Sequence, residues 1–327
     1  MYKMLVLTPV TEAQLLQLST VSDQVLTDYE PSGKTTKEKA AEYDFIFGNI
    51  SPDWLPDLPR LKWLQLNSAG SDKYAAAAGR PGLHITNASG AYGLAISEHM
   101  LGMVLMRMKH LDFYHDRQHE HAWKDGGHVT SIFGSHTLVL GLGDIGQSFA
   151  LRMHALGSEV HGIRRRPGAC PEGVSVVLGM DALEKELAWA DIIALSLPES
   201  PATRQLINAE RLALMKPTAI LVNVGRGSAI DSLALARALE EGRLGGACLD
   251  VTDPEPLPAE HPLWDAPGAL ITPHVSGQYH LPETLVRIVS LTADNLKRFL
   301  AGQPLRNEVD PATGYRREQA ESPSAQN

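Results

Sequence analysis

The chain has 327 residues, of which 43% are hydrophobic and 20% charged, as is typical of a globular protein large enough for two domains. Its net charge of −9 disfavours general nucleic-acid binding, and no apolar run approaches the ~18 residues that would span a membrane. Its two cysteines, Cys170 and Cys248, cannot form a disulfide framework or a structural zinc site. We therefore expect a reducing, cytoplasmic location.

The first part of the chain alternates apolar strand patterns with helical segments. Strand patterns cover residues 3–8, 24–27, 44–47, 62–66 and 84–87. The run from Thr11 to Gln14 is a capping-box start to a helix. Because strands that alternate with helices indicate a parallel sheet, we expect a smaller, flavodoxin-like α/β domain over residues 1–98.

A long helical pattern over residues 93–121 is expected to connect this domain to the next. Its methionine stripe favours core or dimer packing over a ligand site. His115 and His119 have the i, i+4 spacing of a metal-binding pair, but no third ligand has comparable spacing. Solvated helix histidines are therefore the prediction, and no metal site is expected.

Residues 138–166 carry the clearest functional pattern in the chain. A short apolar run precedes Gly141-Leu-Gly143-Asp144-Ile145-Gly146, and an amphipathic helical pattern follows. In such a unit the first glycine makes a tight turn, the second lets the backbone approach a pyrophosphate, and the third lets helix and strand pack closely. The free N–H groups at the helix start then bind phosphate oxygens. The pattern predicts a dinucleotide-binding site.

The second strand of this unit, residues 160–163, ends in Arg164-Arg165-Arg166. An NAD-binding unit normally has an acidic residue here, which accepts hydrogen bonds from the ribose hydroxyls. Guanidinium groups instead suit a 2′-phosphate, because arginine pairs with phosphate oxygens through two charge-assisted hydrogen bonds. Arg164 and Arg165 therefore favour NADP(H). NAD(H) stays possible, since the arginines could also form a solvated basic loop.

Further apolar strand patterns complete a doubly wound, Rossmann-type parallel sheet over residues 99–281. They cover residues 191–197, 219–224, 246–251 and 269–272. An amphipathic helix begins at Pro282, and we expect residues 282–309 to return to the first domain. Residues 310–327 are rich in Glu, Ser, Gln and Arg, which predicts a disordered tail.

Polar residues follow three of these strands, at the end where ligands of open α/β sheets bind. They are Arg226, Glu255 and His274. The arginine can clamp a carboxylate, the histidine can give or take a proton at a carbonyl or hydroxyl oxygen, and the glutamate can orient the imidazole. Each residue alone could be structural or solvated. Three of them behind a dinucleotide fingerprint predict hydride transfer at a 2-oxo or 2-hydroxy acid.

These motifs resemble those of the D-isomer-specific 2-hydroxyacid dehydrogenases over roughly residues 40–307. The matching stretches are Leu64-Gln-Leu-Asn-Ser-Ala-Gly70, Gly141-Leu-Gly-Asp-Ile-Gly146, Asn223-Val-Gly-Arg-Gly227, Asp250-Val-Thr-Asp-Pro-Glu-Pro256 and Thr272-Pro-His-Val-Ser-Gly277. The arginine run at residues 164–166 departs from members that have Asp there, and is similar to NADP-using glyoxylate and hydroxypyruvate reductases.

The resemblance implies a role for each residue of the site. Arg226, Glu255 and His274 would be the catalytic trio, and Ser68, Ala69 and Gly70 would bind the substrate, with backbone amides at its carboxylate. Besides the fingerprint residues and the arginines, the cofactor would contact Leu197, Pro198, Thr203, Val224, Gly225, Asp250, Ser276 and Gly277, with Asp250 at the nicotinamide amide. The resemblance also implies two α/β domains that close over a cleft, and a homodimer held by the long helix near residue 100.

The resulting hypothesis is an NADP(H)-preferring reductase of small 2-oxo acids, with glyoxylate or hydroxypyruvate favoured and a D-2-hydroxy acid as the chiral product. Two alternatives stay open at this point. One is an NAD-dependent dehydrogenase of a bulkier 2-hydroxy acid. The other is a dinucleotide-sensing protein similar to the corepressors of the same family.

Overall fold

The computed structural model describes residues 1–30 and 35–317, which form two compact units. The first unit comprises Met1–Tyr92 and the chain from Tyr279 onward, and the second comprises Gly93–Gln278. The predicted domain limits, 98/99 and 281/282, lie a few residues after these boundaries. Residues 318–327 of the predicted tail lie outside the described part of the chain.

The helices and strands are numbered here in chain order. Up to Tyr92 they are β1 (Tyr2–Val6), α1 (Glu12–Ser19), β2 (Val25–Tyr29), α2 (Lys37–Ala40), β3 (Phe45–Phe47), β4 (Trp63–Gln65), α3 (Ala75–Ala78) and β5 (His84–Thr86). From Gly93 on they are α4 (Gly93–Met108), α5 (Leu111–His119), β6 (His136–Leu140), α6 (Asp144–Ala155), β7 (Glu159–Ile163), β8 (Val176–Leu178), α7 (Leu183–Trp189), β9 (Ile192–Leu195), α8 (Ala209–Leu212), β10 (Ile220–Asn223), α9 (Ser232–Glu240), β11 (Gly246–Leu249), β12 (Ala269–Ile271) and α10 (Pro282–Leu300).

The first unit is built on a five-stranded parallel sheet in the order β2-β1-β3-β4-β5. This is the strand order of flavodoxin-like folds. The predicted capping box starts α1: Thr11 Oγ1 accepts the N–H of Gln14, and the Gln14 side chain accepts the N–H of Thr11 at 2.9 Å. The expectation of a flavodoxin-like α/β domain is confirmed.

The last helix, α10, belongs to the first unit, where its aromatic residue Phe299 packs on the sheet. The ring of Phe299 lies 4.9 Å from that of Phe45 and 6.5 Å from that of Trp63, between centroids. Both strand residues are fully buried. Aromatic contacts of this kind bury large apolar areas, so α10 completes the core of this unit.

The second unit is built on a seven-stranded parallel sheet in the order β12-β11-β10-β9-β6-β7-β8. In order of their appearance within the unit, this is the Rossmann order 3-2-1-4-5-6 with one further strand at the edge. Four of the five inner strands, β6, β9, β10 and β11, are almost entirely buried, as expected of parallel strands covered on both faces. The predicted doubly wound sheet is confirmed.

Three features differ from the sequence-based expectations. The helix expected over residues 93–121 is interrupted at His110, which has a φ of +54° that ends α4 before α5 begins. The three-residue edge strand β8 has no counterpart among the predicted strands. Part of the predicted disordered tail is folded, because Asp310 donates its N–H to the carbonyl of Tyr315 at 2.7 Å and Val309 bridges to Arg316.

Candidate active site

The three predicted catalytic residues lie in the second unit, just past the carboxyl ends of adjacent strands. β10, β11 and β12 pair in parallel, so their carboxyl ends meet at one edge of the sheet. Arg226 follows β10, Glu255 lies in the loop after β11, and His274 follows β12. The structure thus brings the three loops to a common edge.

Glu255 and His274 are directly hydrogen-bonded. Nδ1 of His274 lies 2.6 Å from Oε1 of Glu255, and the two side chains are 50% and 42% exposed. Because an ionised carboxylate can only accept, Nδ1 carries the hydrogen of this bond. The glutamate therefore fixes the ring and its tautomer, and Nε2 is the nitrogen left to exchange a proton with a ligand.

Arg226 lies in a turn that the fully buried amide of Asn223 holds in place. Oδ1 of Asn223 accepts the N–H of Gly225 at 3.0 Å, and Nδ2 donates to the carbonyl of Arg226 at 2.9 Å. A Cβ added at Gly225 or Gly227 would lie 2.6 Å or 1.9 Å from a backbone carbonyl oxygen of another loop. Only glycine fits at both positions, so the backbone on either side of Arg226 is fixed. The half-buried guanidinium donates from Nη1 to the carbonyl of Gly225 at 2.8 Å.

The predicted glycine turn lies between β6 and α6. Gly141 has a φ of +95°, and a Cβ added at Gly146 would lie 1.9 Å from the carbonyl oxygen of Gly141. Both positions therefore require glycine. The N-cap residue of α6 is Gly143, and no side chain caps the helix. Since the first N–H groups of α6 have no capping side chain, the turn fits the phosphate groups of a dinucleotide.

Asp144 opens α6, and its side chain is bonded to the start of another helix. Its Oδ2 accepts the N–H of Gly93, the first residue of α4, at 2.7 Å. A Cβ added at Gly93 would lie 2.5 Å from Oδ1 of Asp144, so the two helix starts approach closely. The Asp144 carboxylate thus ties α4 to α6, and cofactor contacts of Asp144 and Ile145 stay predictions.

Arg164 begins the loop after β7, and its side chain folds back onto that loop. Its backbone N–H donates to the carbonyl of Leu178 at 3.1 Å, and its Nη2 donates to the carbonyl of Ala169 at 3.1 Å. The side chains of Arg165 and Arg166 are exposed. Arg164 therefore shapes the loop, and Arg165 lies on its surface at the strand end that carries the ribose in doubly wound folds.

Two further predicted cofactor loops are held by their own polar side chains. Thr203 Oγ1 donates to the carbonyl of Pro198 at 2.8 Å and accepts the N–H of Ser200 at 2.9 Å, which closes the turn after β9. The carboxylate of Asp250 is buried and accepts hydrogen bonds from the N–H and the hydroxyl of Ser276. Contacts of these loops with a cofactor stay predictions.

The predicted substrate loop lies in the first unit, where two asparagines hold it. Nδ2 of Asn49 donates to Oγ of Ser68 at 3.1 Å, and Nδ2 of Asn87 donates to the carbonyl of Ala69 at 3.0 Å. Ser68 in turn donates to the carbonyl of Gly70 at 2.7 Å. The loop is thus built by hydrogen bonds to its side-chain hydroxyl and its carbonyl groups. Substrate binding by Ser68, Ala69 and Gly70 stays a prediction.

Asn223 is a residue of the site to which the sequence patterns assign no role. A signal was present, since an amide residue that ends an apolar strand two positions before a glycine can bond the turn that follows. Asn87 offers no comparable signal, because its contact with Ala69 joins loops after two different strands.

No metal site is found among residues 1–30 and 35–317, where no three or more His, Cys, Asp and Glu side chains are grouped to hold an ion. His115 and His119 lie on α5 with their Nε2 atoms 3.3 Å apart. Burial raises the pKa of the Cys248 thiol in β11 to about 12, so this group offers no thiolate near neutral pH. Across the same described residues, no helix combines the length and the apolar character needed to cross a bilayer.

Comparison with known proteins places these features in a family. A sequence profile of the NAD-binding domain of D-isomer specific 2-hydroxyacid dehydrogenases matches residues 101–276. A glyoxylate/hydroxypyruvate reductase B from Pectobacterium carotovorum is 32% identical over 271 residues, which cover 81% of this chain and 83% of that protein.

Solved structures of the same family are also similar. A D-isomer specific 2-hydroxyacid dehydrogenase family protein from Aeromonas salmonicida has a TM-score of 0.84 at 32% identity, with 95% of this chain and 99% of that chain covered. A D-isomer specific 2-hydroxyacid dehydrogenase from Xanthobacter autotrophicus, in complex with NADPH and MES, has a TM-score of 0.78 at 30% identity, with 96% and 99% covered.

The parallel sheet of the second unit and its glycine turn define a Rossmann-type dinucleotide-binding protein. The chain belongs to the D-isomer specific 2-hydroxyacid dehydrogenase family, whose members are NAD(P)-dependent oxidoreductases. The resemblance read from the sequence motifs and the expected enzyme class, a D-2-hydroxyacid dehydrogenase, are confirmed.

Proposed function

We propose that the protein is an NADPH-preferring reductase of small 2-oxo acids, with glyoxylate or hydroxypyruvate as first candidates. The observation that carries this proposal is the 2.6 Å hydrogen bond between His274 and Glu255, at the sheet edge that also holds the Arg226 loop. An oriented proton donor and a guanidinium for the substrate carboxylate are the groups that reduction of a 2-oxo acid requires.

Each of the three residues has one task in the proposed mechanism. The Arg226 guanidinium pairs with the substrate carboxylate and polarises the adjacent carbonyl. His274, protonated on both ring nitrogens, donates from Nε2 to the carbonyl oxygen as C2 is reduced. Glu255 accepts from Nδ1, so it holds the ring in place and its charge faces the imidazolium. In the reverse direction, Nε2 of neutral His274 accepts the proton of the 2-hydroxyl group.

The nicotinamide cofactor supplies the hydride when it is bound. The glycine turn fits the cofactor for two reasons. At Gly146 the backbone packs so closely on the carbonyl of Gly141 that there is no room for a side chain. The start of α6 has no capping side chain, so its N–H groups can bind the phosphates. Gly141, Gly143 and Gly146 would hold the phosphates. The loops that contain Thr203 and Ser276 are proposed to line the rest of the cofactor.

A preference for NADPH is supported by the loop after β7. Arg165 is exposed at the strand end, and Arg164 shapes the same loop through its bond to Ala169. Guanidinium groups at this place suit a 2′-phosphate. The Xanthobacter relative, 30% identical to this chain, was solved in complex with NADPH.

A small substrate is supported by the relatives. The Pectobacterium protein, 32% identical over most of both chains, is named a glyoxylate/hydroxypyruvate reductase. We further propose that the loop Ser68-Ala69-Gly70 contributes to binding of the substrate carboxylate.

We also propose that the protein is a homodimer. The segment after α5 in the second unit exposes Trp123 completely, and Phe133 is 80% exposed. Large apolar side chains at the surface are typical of interaction sites. Sedimentation equilibrium measures the assembly state, and a monomer at micromolar concentration would contradict this part of the proposal. The cytoplasmic location stays a prediction.

The test of the function is an initial-rate assay with purified protein, which pairs NADPH and NADH with glyoxylate, hydroxypyruvate, pyruvate and phenylpyruvate. We expect oxidation of NADPH well above that of NADH, with glyoxylate or hydroxypyruvate as the best substrate. Arg226→Ala and His274→Ala should abolish turnover and leave NADPH binding intact. The control Arg243→Ala, at an exposed ion pair, should leave both turnover and NADPH binding intact.

Two outcomes would overturn the proposal. Turnover that survives both Arg226→Ala and His274→Ala would refute the mechanism. NADPH binding without turnover of any acid in the panel would favour a dinucleotide-sensing protein.

A further inference from the structure

The loop after β12, residues 272–276, is held by the carboxylate of a single residue. Asp250 is 1% exposed, and its Oδ1 accepts the hydroxyl of Thr272 at 2.6 Å and the N–H of Val275 at 3.0 Å. Its Oδ2 accepts the N–H of Ser276 at 3.2 Å and the Ser276 hydroxyl. All four of these donors come from the loop, so the Asp250 carboxylate holds it at three of its residues.

The loop requires these hydrogen bonds because the backbone of His274 has an unfavourable conformation. Its φ is +52°, in the left-handed region that residues other than glycine rarely adopt. Such a residue keeps its conformation only where neighbouring contacts enforce it. The N–H of His274 donates to the backbone carbonyl of Asp250 at 2.9 Å, which adds a fifth bond between Asp250 and the loop. The position of the proposed proton donor therefore depends on Asp250.

A second histidine extends this network. His99 lies on α4, its side chain is 26% exposed, and its Nε2 lies 3.1 Å from Oγ1 of Thr272 and 3.9 Å from Oδ1 of Asp250. The hydroxyl of Thr272 has one hydrogen, which it gives to Asp250. Thr272 must therefore accept from His99, and this sets the His99 tautomer with the hydrogen on Nε2.

We propose that His99 is a positioning residue for His274, acting through the directed chain from His99 to Thr272 to Asp250. The N–H of His99 orients the Thr272 hydroxyl toward Asp250 and so fixes the carboxylate on which the His274 loop is built. The effect on turnover rests on the proposed function, whereas the effect on the loop does not. His99 contacts Thr272 and Asp250 and has no part in proton transfer to the substrate in this proposal.

The test compares two substitutions in the full-length protein. His99→Gln keeps an N–H donor near the position of Nε2, and His99→Phe keeps a planar ring without one. For each variant, hydrogen exchange is measured on the peptide that spans Val275 and Ser276, with NADPH affinity, kcat and KM for the best 2-oxo acid. Thr272→Val is an isosteric change that removes the hydroxyl, so it interrupts the series of hydrogen bonds from His99 to Asp250 at Thr272. This variant provides the test if His99→Phe does not fold.

We expect faster exchange of the Val275 and Ser276 amides in His99→Phe and in Thr272→Val, and near-native protection in His99→Gln. With loss of one oriented hydrogen bond, kcat should fall about tenfold while KM and NADPH affinity stay within about twofold. The double variant His99→Phe/Thr272→Val should lose no more of kcat than either single variant, because both substitutions interrupt the same series of hydrogen bonds.

Native exchange and native kcat in both His99→Phe and Thr272→Val would overturn the proposal. So would an equal loss of kcat in His99→Gln and His99→Phe, since this would indicate ring packing in place of a hydrogen bond. If the unmodified protein turns over no 2-oxo acid, the proposed function fails, and the exchange rates alone then decide whether His99 positions the loop.

Discussion

His274 donates from Nδ1 to Oε1 of Glu255 across 2.6 Å, although the two residues belong to loops after different strands, β12 and β11. The bond has two consequences for a histidine that acts at a carbonyl oxygen. It fixes the rotation of the ring, and it leaves the proton on Nε2 as the one available for transfer. Since both side chains are about half exposed, the bond must keep this arrangement in competition with water.

Glu255→Gln is expected to lower kcat for reduction of a 2-oxo acid by about 100-fold, the lower range of what general acid catalysis contributes. The amide of the glutamine can still accept the hydrogen bond from Nδ1–H. The negative charge of the carboxylate, which stabilises the imidazolium, is lost. Steady-state kinetics with NADPH measures the loss. The matched control is Glu283→Gln, which removes one carboxylate of an exposed ion pair with Arg287 and should leave kcat unchanged. A native kcat in Glu255→Gln would refute the proposed role of the carboxylate.

Arg164 and Arg165, the first two of the three arginines after β7, are expected to differ in their effect on cofactor affinity. Arg165→Ala should weaken NADPH binding by about 10-fold or more and leave NADH binding unchanged, because only the 2′-phosphate would lose a charge-assisted partner. Arg164→Ala should weaken both cofactors, since it also removes the bond to Ala169 that shapes the loop. Fluorescence titration of each variant with both cofactors separates these effects. Equal losses of NADPH and NADH affinity in Arg165→Ala would exclude a 2′-phosphate contact.

Much of the fold could be predicted because the strands of parallel sheets are short, continuous apolar runs. The inner strands β6, β9, β10 and β11 of the second unit each contain such a run, and the turn at Gly141 follows from glycines that the backbone contacts require. Arg226, Glu255 and His274 could be predicted to share one edge because strand direction alone brings their loops together.

The remaining features depend on contacts that no local pattern encodes. The break at His110 lies inside a helical pattern that continues on both sides, and it arises from one left-handed residue. The bond between Asn87 and Ala69 and that between His99 and Thr272 join residues far apart in the chain. Asn87 and His99 thus contact residues of the matched motifs without belonging to any of these motifs themselves.

Gly146→Ala is expected to destabilise the protein by about 2 kcal/mol or more and to abolish cofactor binding, because its Cβ would lie 1.9 Å from the carbonyl oxygen of Gly141. Both groups are backbone-anchored, so neither can move without opening the turn. The matched control is Gly102→Ala in α4, where an added Cβ has no neighbour within 4 Å. That change should leave stability unchanged or raise it by up to about 1 kcal/mol, since alanine favours helices over glycine.

Urea unfolding of both glycine variants, with a parallel titration with NADPH, gives the two free energies of unfolding and the cofactor affinities. If Gly146→Ala binds NADPH like the unmodified protein, the close packing of the turn is not what the cofactor site requires.

His84 and Glu308 form a pH-dependent ion pair in the first unit. Nδ1 of His84 lies 2.7 Å from Oε1 of Glu308, in the segment that bridges to β5. This hydrogen bond, with the attraction of the opposite charges, raises the pKa of His84 above its ordinary value of 6.5 and lowers that of Glu308 below its ordinary value of 4.5. The histidine part of the stabilisation is complete below pH 6.5 and is lost as pH rises through the raised pKa. The glutamate part is complete above pH 4.5 and is lost as pH falls through the lowered pKa.

Glu308→Gln is therefore expected to lower the thermal midpoint of unfolding most between pH 4.5 and 6.5, and progressively less at alkaline pH. Because the His84 side chain is 45% exposed, solvent screening limits the effect to about 1 kcal/mol or less. Glu42→Gln, at an exposed position of the same unit, should show no such pH profile. The comparison is made by thermal unfolding of the three proteins at a series of pH values. A difference between Glu308→Gln and the unmodified protein that stays constant from pH 5 to pH 9 would show that the ion pair with His84 does not contribute the stability. Packing of the terminal segment and the ion pair of Glu308 with Arg317, at 3.6 Å, would then account for the difference, since neither depends on the protonation of His84.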